Sequence, residues 1–273
     1  MESLRDRIGI DIGSRMPVEE GLDWALRHDV RYVDFQLDKG RNAVTQFDAA
    51  RCAAIRETCA ARGIHLGLHT LSAVNIAEYS PFLSEATDAY LRAYVDVGAM
   101  LGAEWIVVHA GYHFTSDVEP RIQASIARLK RAGAYAEEKG QTLLLENMNF
   151  EPETAEVHYL GQTLEQCRRY FAELTSPALR WAFTVNHAHI EPEGIDGFID
   201  ALPLSRCEEV RIADNRGDRE EHLPIGAGNI DFKAMFDRIE GAGFRGHYIN
   251  AFVSLDVMLE GREKLVAIAE GRG

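Results

Sequence analysis

TLLLENM, residues 142–148, decides the reading: three leucines in succession, then a glutamate and an asparagine. An apolar run without alternation suits a strand buried on both faces, as in a parallel sheet. Its flanks supply the helices such a sheet needs. Upstream, VEPRIQASIARLKRAGAYAEEKG (118–140) has apolar residues at helical spacing and ends on Gly140. Downstream, Thr163 opens TLEQCRRYFAEL, with Glu165 and Gln166 giving a capping-box pattern. The alternation runs along the whole chain. Further apolar runs are IGIDIG (8–13), VRYVDFQL (30–37), IHLGLHTL (64–71), WIVVHAG (105–111), LRWAFTVN (179–186), EEVRIADN (208–215) and GHYINAFV (246–253). Gly63, Gly102, Gly140 and Gly243 each close an amphipathic stretch shortly before one of these runs. Eight strand–helix units with no linker predict a single α/β domain over residues 1–273, a (β/α)₈ TIM barrel with an eight-stranded parallel sheet. An open doubly wound sheet is the competitor. IGIDIGSR, however, runs into Met16-Pro17 and not into a glycine-rich turn, so no nucleotide cofactor is expected.

The 273 residues carry 29 Lys and Arg against 43 Asp and Glu, a net charge of −14. A field of that sign repels phosphate backbones, so nucleic acid is not an expected partner. An apolar content of 46% excludes a disordered chain. No stretch approaches the ~18 apolar residues of a membrane span. The start, MESLRDRIGIDIG, has no apolar signal-peptide core, so the expected location is the cytoplasm. Cys52, Cys59, Cys167 and Cys207 form no metal-type spacing and read as reduced, partly buried fillers.

In such a barrel the chemistry gathers where strands end at the C-terminal face. Six of the ten histidines fall there: His69, His109, His113, His187, His189 and His222. A single histidine at a strand end is most often structural. Six on one rim point to a functional site, because imidazole ligates metals and shuttles protons. Glu146 ends the fully apolar run, where a carboxylate needs a cation or a donor to offset its desolvation. Asn186, Arg211, Asp214, Glu220 and Asn250 end or follow the later strands. Gln36 ends the second strand and is the better candidate there for hydroxyl recognition, while Lys39 and Arg41 read as solvated loop. Trp105 and Trp181 begin their strands and read as packing. The segment 149–162 is long and acidic, and suits either a lid or a mobile surface loop.

These strings resemble the xylose isomerase-like TIM-barrel superfamily, which includes endonuclease IV and many sugar isomerases and epimerases. The resemblance covers nearly the whole chain. His69 followed by Asn75-Ile76-Ala77, VVHAGYH ending at His113, LLLENM, and EEHLPIGAGNIDF from Glu220 match strand motifs of the endonuclease IV branch in order. The resemblance implies one metal group at His69, His109 and Glu146. It implies another at His189, Glu220 and His222, with Glu in place of Asp. The single-metal site of the superfamily's isomerases maps to Glu146, Asn186, Arg211 and Asn250. There two carboxamides and a guanidinium stand where anionic or imidazole ligands are usual.

The expected function is therefore a sugar isomerase or epimerase-like enzyme with a degenerate or relocated divalent metal site (Zn, Mn, Mg or Fe). It would act on a small hydroxy-carbonyl compound, a sugar or keto-acid, by proton abstraction next to the carbonyl; elimination of water would begin the same way. Glu146 is the expected base, with His189, His187 or His113 as its partner. Arg211 is the expected electrophile or clamp for a substrate carboxylate or phosphate. Gln36, His113, Asn186, His187 and Asn250 are the expected substrate contacts. Two alternatives stand beside this: a metal-dependent phosphodiester hydrolase of the endonuclease IV kind, and a non-catalytic member that binds a sugar or acid. Barrels of this superfamily often form dimers or tetramers, so a homo-oligomer is within expectation.

Overall fold

The computed structural model describes residues 3–272. Ten strands run β1 Ile8–Gly13, β2 Tyr32–Phe35, β3 His65–His69, β4 Trp105–Val108, β5 Tyr112–Phe114, β6 Leu143–Glu146, β7 Val157–Tyr159, β8 Leu179–Thr184, β9 Cys207–Ile212 and β10 His247–Asn250. The helices are α1 Leu4–Arg7, α2 Val18–Arg27, α3 Ala49–Arg62, α4 Pro81–Leu101, α5 Val118–Lys139, α6 Leu164–Glu173, α7 Val185–His189, α8 Gly194–Ala201, α9 Phe232–Gly241 and α10 Leu255–Ala269. Eight strands close into a barrel in the order β1-β10-β9-β8-β6-β4-β3-β2, all pairs parallel. The expected TIM barrel is therefore the observed fold, and the open sheet is excluded by the β1–β10 pairing.

Local signals act as read. The Thr163 hydroxyl accepts from Gln166 N (3.2 Å) and starts α6. Gly63, Gly102 and Gly140 end their helices with φ of 64°, 69° and 67°, where a side chain would be strained. Two features differ from the expectation. Residues 157–159, within the segment expected as a loop, pair antiparallel with 112–114. After β8 the chain turns at once into α7 rather than running on as a strand end.

Strand alternation divides the side chains between two cores. The larger core lies between strands and helices. A smaller one fills the barrel lumen with Trp105, Val107, Leu144, Ala182, Ile249 and Ala251. Tyr32 lies between His65 and His247 at the floor, with ring centroids 4.2 and 4.8 Å away. Trp105 packs on His247 at 4.0 Å. A cavity of about 530 Å³ opens at this N-terminal end, lined by Trp105, Arg180, Glu208, Arg245 and His247 among others. The lumen is not wholly apolar: Asp11, Asp34, Glu209 and Arg211 are buried in it as well.

The loop after β9 carries Glu220 and His222, and Asp214 holds it. Asp214 Oδ2 accepts from Gly226 N and Gly228 N (2.9 Å each), and Oδ1 accepts from Ile230 N (3.3 Å). Asp214 also exchanges backbone hydrogen bonds with Leu223 at 3.1 and 2.9 Å. Gly228 passes so close that a Cβ would lie 2.2 Å from Asn215 O. We predict that Asp214→Ala costs about 2–4 kcal/mol of stability by orphaning three amides. The same variant should make residues 214–230 the first site of limited proteolysis. An unchanged cleavage pattern would show that the loop is held elsewhere.

Where the chain leaves α7, Glu191 is buried with Oε1 unpartnered. Burial, with Glu193 nearby, pushes its carboxyl up from 4.5 to about 7. The folded state thus holds a proton that the unfolded state releases near 4.5. Stability from this group is complete below that pH and is lost as pH rises through about 7. Glu191→Gln should lose less Tm between pH 5 and pH 8 than the parent protein does; parallel Tm–pH curves would refute the assignment.

Candidate active site

Three neighbouring strands place three donors at the C-terminal mouth. His69 ends β3, His109 follows β4 and Glu146 ends β6. His69 Nε2 lies 3.1 Å from His109 Nε2, and Glu146 Oε2 lies 3.5 and 3.2 Å from the two nitrogens. All three side chains are buried. Burial alone would raise the Glu146 pKa, but the adjoining His109, His69 and His187 rings outweigh it and hold the carboxyl well below its usual range. The Thr184 hydroxyl donates to its other oxygen.

The tautomer of His109 follows from hydroxyl geometry. Thr70 Oγ1 donates its one proton to Val107 O (3.0 Å), so it can only accept from His109 Nδ1 (3.2 Å). The proton of His109 therefore sits on Nδ1, and Nε2 presents a lone pair to the triangle. Burial lowers the pKa of this ring, which favours the neutral form.

A second group adjoins the first: His187, Glu220 and His222. His187 Nδ1 donates to Asn147 O (2.7 Å), which leaves Nε2 for Glu220 Oε1 at 3.6 Å. His222 Nε2 is 2.7 Å from the same oxygen. Asn186 Nδ2 donates to it as well, at 3.0 Å. Burial would raise Glu220, but His187 and His222 bring it down to about 2. Conversely, burial would lower His187, but Glu220, Glu146 and the Asn147 carbonyl raise it. Phe252, at φ 79°, stacks on His222 with centroids 4.1 Å apart. Glu146 Oε1 links the two groups, 3.8 Å from His187 Nδ1.

Several expectations are corrected. His189 does not join Glu220 and His222; its Nε2 bonds Asn229 Oδ1 at 2.8 Å. It lines a separate cavity of about 260 Å³ with Glu193, Asp196 and Asp231. The cause is α7: residues two apart on a helix are about 200° apart around its axis, so His187 faces the mouth and His189 the other side. Arg211 is fully buried and is not presented as a clamp. Its Nη1 donates to Asp34 Oδ2 (2.6 Å) and Glu209 Oε1 (2.8 Å), while Nη2 is 3.7 Å from Asp11 Oδ2. Three carboxylates already offset its charge. Asn250 alternates with the lumen-facing Ile249 and Ala251, and its Nδ2 donates outward to Met258 O in α10 (2.7 Å). His113 sits on the β5–β7 hairpin, stacked on His158 at 5.4 Å. Gln36 is half-buried after β2, its backbone amide bonded to Gly13 O (3.0 Å).

No sequence pattern singles out Thr70 and Thr184, which orient the donors, and Asn147 is marked only by its pairing with Glu146. Asn147 Oδ1 accepts from Thr184 N (2.9 Å), and its Nδ2 donates to Thr184 O (3.0 Å), which ties the ends of β6 and β8 together.

The first group suits a divalent cation. With metal–ligand bonds of about 2.0–2.2 Å, the edges of a tetrahedral donor set are about 3.3–3.6 Å long. The triangle's edges of 3.1, 3.2 and 3.5 Å lie close to that. The second group is less regular and more open, since His222 is 40% exposed.

Among structures, the chain is similar to a D-tagatose 3-epimerase-like protein (TM-score 0.83, 20% identity, 97% of this chain and 98% of that one). It is also similar to a D-psicose 3-epimerase from Clostridium cellulolyticum H10 solved with D-tagatose (TM-score 0.79, 12% identity, 97% and 98%). At these identities the likeness is one of fold. In sequence it matches uncharacterized protein MJ1311 of Methanocaldococcus jannaschii, 26% identical over 181 residues, which spans 64% of this chain but only 59% of that protein. Uncharacterized protein MJ1614 of the same organism is 22% identical over 238 residues, 83% of this chain and 84% of that one. The model of the xylose isomerase-like TIM barrel family matches residues 22–263, and the chain belongs to that family.

Proposed function

We propose that the protein is a metal-dependent sugar isomerase or epimerase. It acts on a small hydroxy-carbonyl substrate by moving a proton on the carbon next to the carbonyl. The observation that carries this is the triangle of His69, His109 and Glu146, whose converging donors have nothing but one another to bond on that side. When bound there, a divalent cation supplies Lewis acidity to a substrate carbonyl. The sugar epimerases among the structural neighbours support the substrate class.

In this reading Glu146 is a ligand and not the base, because both its oxygens are engaged and its proton affinity is low. Proton movement falls to His187. Its Nδ1 proton is fixed on Asn147 O, so Nε2 is the atom that gives or takes a proton, with Glu220 as the neighbouring carboxylate. Phe252 covers one face of the His222 ring. Asn186 positions Glu220.

The test is elemental analysis of protein stripped with chelator and reloaded with Zn²⁺ or Mn²⁺, followed by a ketose epimerisation assay. About one equivalent, lost in His109→Ala, is the expected result; no stoichiometric metal at any loading would overturn the reading. His187→Gln should then lower turnover by about 10²–10⁴-fold at unchanged metal content.

The second ligand group favours one other reading, a two-metal phosphodiester hydrolase. Two equivalents, one of them lost in His222→Ala, together with cleavage of an abasic duplex, would select it.

A further inference from the structure

Two histidines of the mouth have a built partner on Nδ1: Thr70 for His109 and Asn147 for His187. His69 has a different neighbour there. Its Nδ1 faces Asp34 Oδ2 at 3.8 Å. That same oxygen accepts from Arg211 Nη1 at 2.6 Å. Arg211 Nη1 is also 2.8 Å from Glu209 Oε1, and Glu209 Oε2 bonds His247 Nε2 at 2.9 Å. A line of charged and polar groups therefore fills the lumen from the floor at His247 to His69. The side chains of Asp34, Glu209 and Arg211 are each 0% exposed. Asp34 Oδ1 and Arg211 Nε and Nη2 lack partners.

Stability does not account for this arrangement. Buried ion pairs are commonly matched or bettered by apolar side chains of similar volume, and six lumen positions of this barrel do carry apolar side chains. What the line does provide is a carboxyl oxygen, bonded to Arg211, on the Nδ1 side of His69. Arg211 Nη1 donates to Asp34 and Glu209 at once, which ties that oxygen to β9.

We propose that Asp34, clamped by Arg211, is the positioning residue for His69. It keeps the imidazole proton on Nδ1 and the Nε2 lone pair directed at His109 and Glu146. This rests on the reading of those three residues as metal ligands. It goes beyond that reading by assigning a role to a buried cluster that touches neither metal nor substrate. Carboxylates placed behind ligating imidazoles typically matter by about 10–100-fold in metal affinity.

The experiment is chelator competition for Zn²⁺ on the intact protein and on Asp34→Asn, Asp34→Ala and Arg211→Lys, with ¹⁵N spectra of the histidine rings in the metal-free state. Asp34→Asn, close in shape, should weaken Zn²⁺ binding by about 10-fold and Asp34→Ala by up to about 100-fold, with the stoichiometry kept. Arg211→Lys should shift affinity in the same direction by less. His69 should be protonated on Nδ1 in the parent protein and a mixture of tautomers in Asp34→Ala. A lower Tm with unchanged Zn²⁺ affinity and an unchanged His69 tautomer would overturn the proposal and leave Asp34 a structural residue. If the parent protein binds no metal, the reading of the triangle fails, and the tautomer alone still decides the role of Asp34.

Discussion

Glu146 keeps its negative charge at the end of a strand that is buried on both faces, and the mouth of the barrel is built around making that tolerable. Burial pushes a carboxyl towards its neutral form. The imidazole rings of His109, His69 and His187 push harder the opposite way, and the Thr184 hydroxyl donates to one oxygen. Each of the groups around the carboxylate is held in turn. His109 is fixed by Thr70, Thr184 by Asn147, and His69 faces the Asp34–Arg211 pair. Removing the charge of Glu146 would leave each of these groups facing a partner that no longer needs it.

The fold was legible because its signals repeat. Short runs such as LLLE and WIVV, each followed by a glycine-closed amphipathic stretch, leave little besides a parallel barrel. The first ligand triangle was legible for a related reason. His69, His109 and Glu146 sit at or just beyond the ends of readable strands, so strand ends alone place them at one mouth. The second group was half legible: Glu220 and His222 were found, but His187 and His189 were exchanged. Nothing in TVNHAHI marks the turn from strand to helix. If the strand had run on, residues 187 and 189 would have shared one face. They lie on a helix, where a two-residue step points them apart.

Strand ends alone mislead at Asn250 and at Arg211, for different reasons. A strand-end rule says which end of the barrel a residue occupies; only the parity of the strand says whether it faces the lumen or the helices. Asn250 falls between Ile249 and Ala251 and so faces α10. Arg211 does face the lumen, but three carboxylates from β1, β2 and its own strand reach it first. Those contacts are distant in sequence, and no local pattern announces them. Hydroxyl partners such as Thr70 and Thr184 are equally silent, since a threonine near a strand end is common.

The barrel's strand order bears on how the molecule comes to be folded. β3, β4 and β6 are consecutive neighbours in the sheet, paired side by side through parallel ladders. The triangle is therefore complete once three successive strands have docked, while the β1–β10 seam that closes the barrel joins residues more than two hundred positions apart. Closing so long a loop is slow and entropically costly. An ion captured by the half-built barrel would bind a nucleus already carrying its full donor set, and so would act on the folding rate as well as on the finished protein.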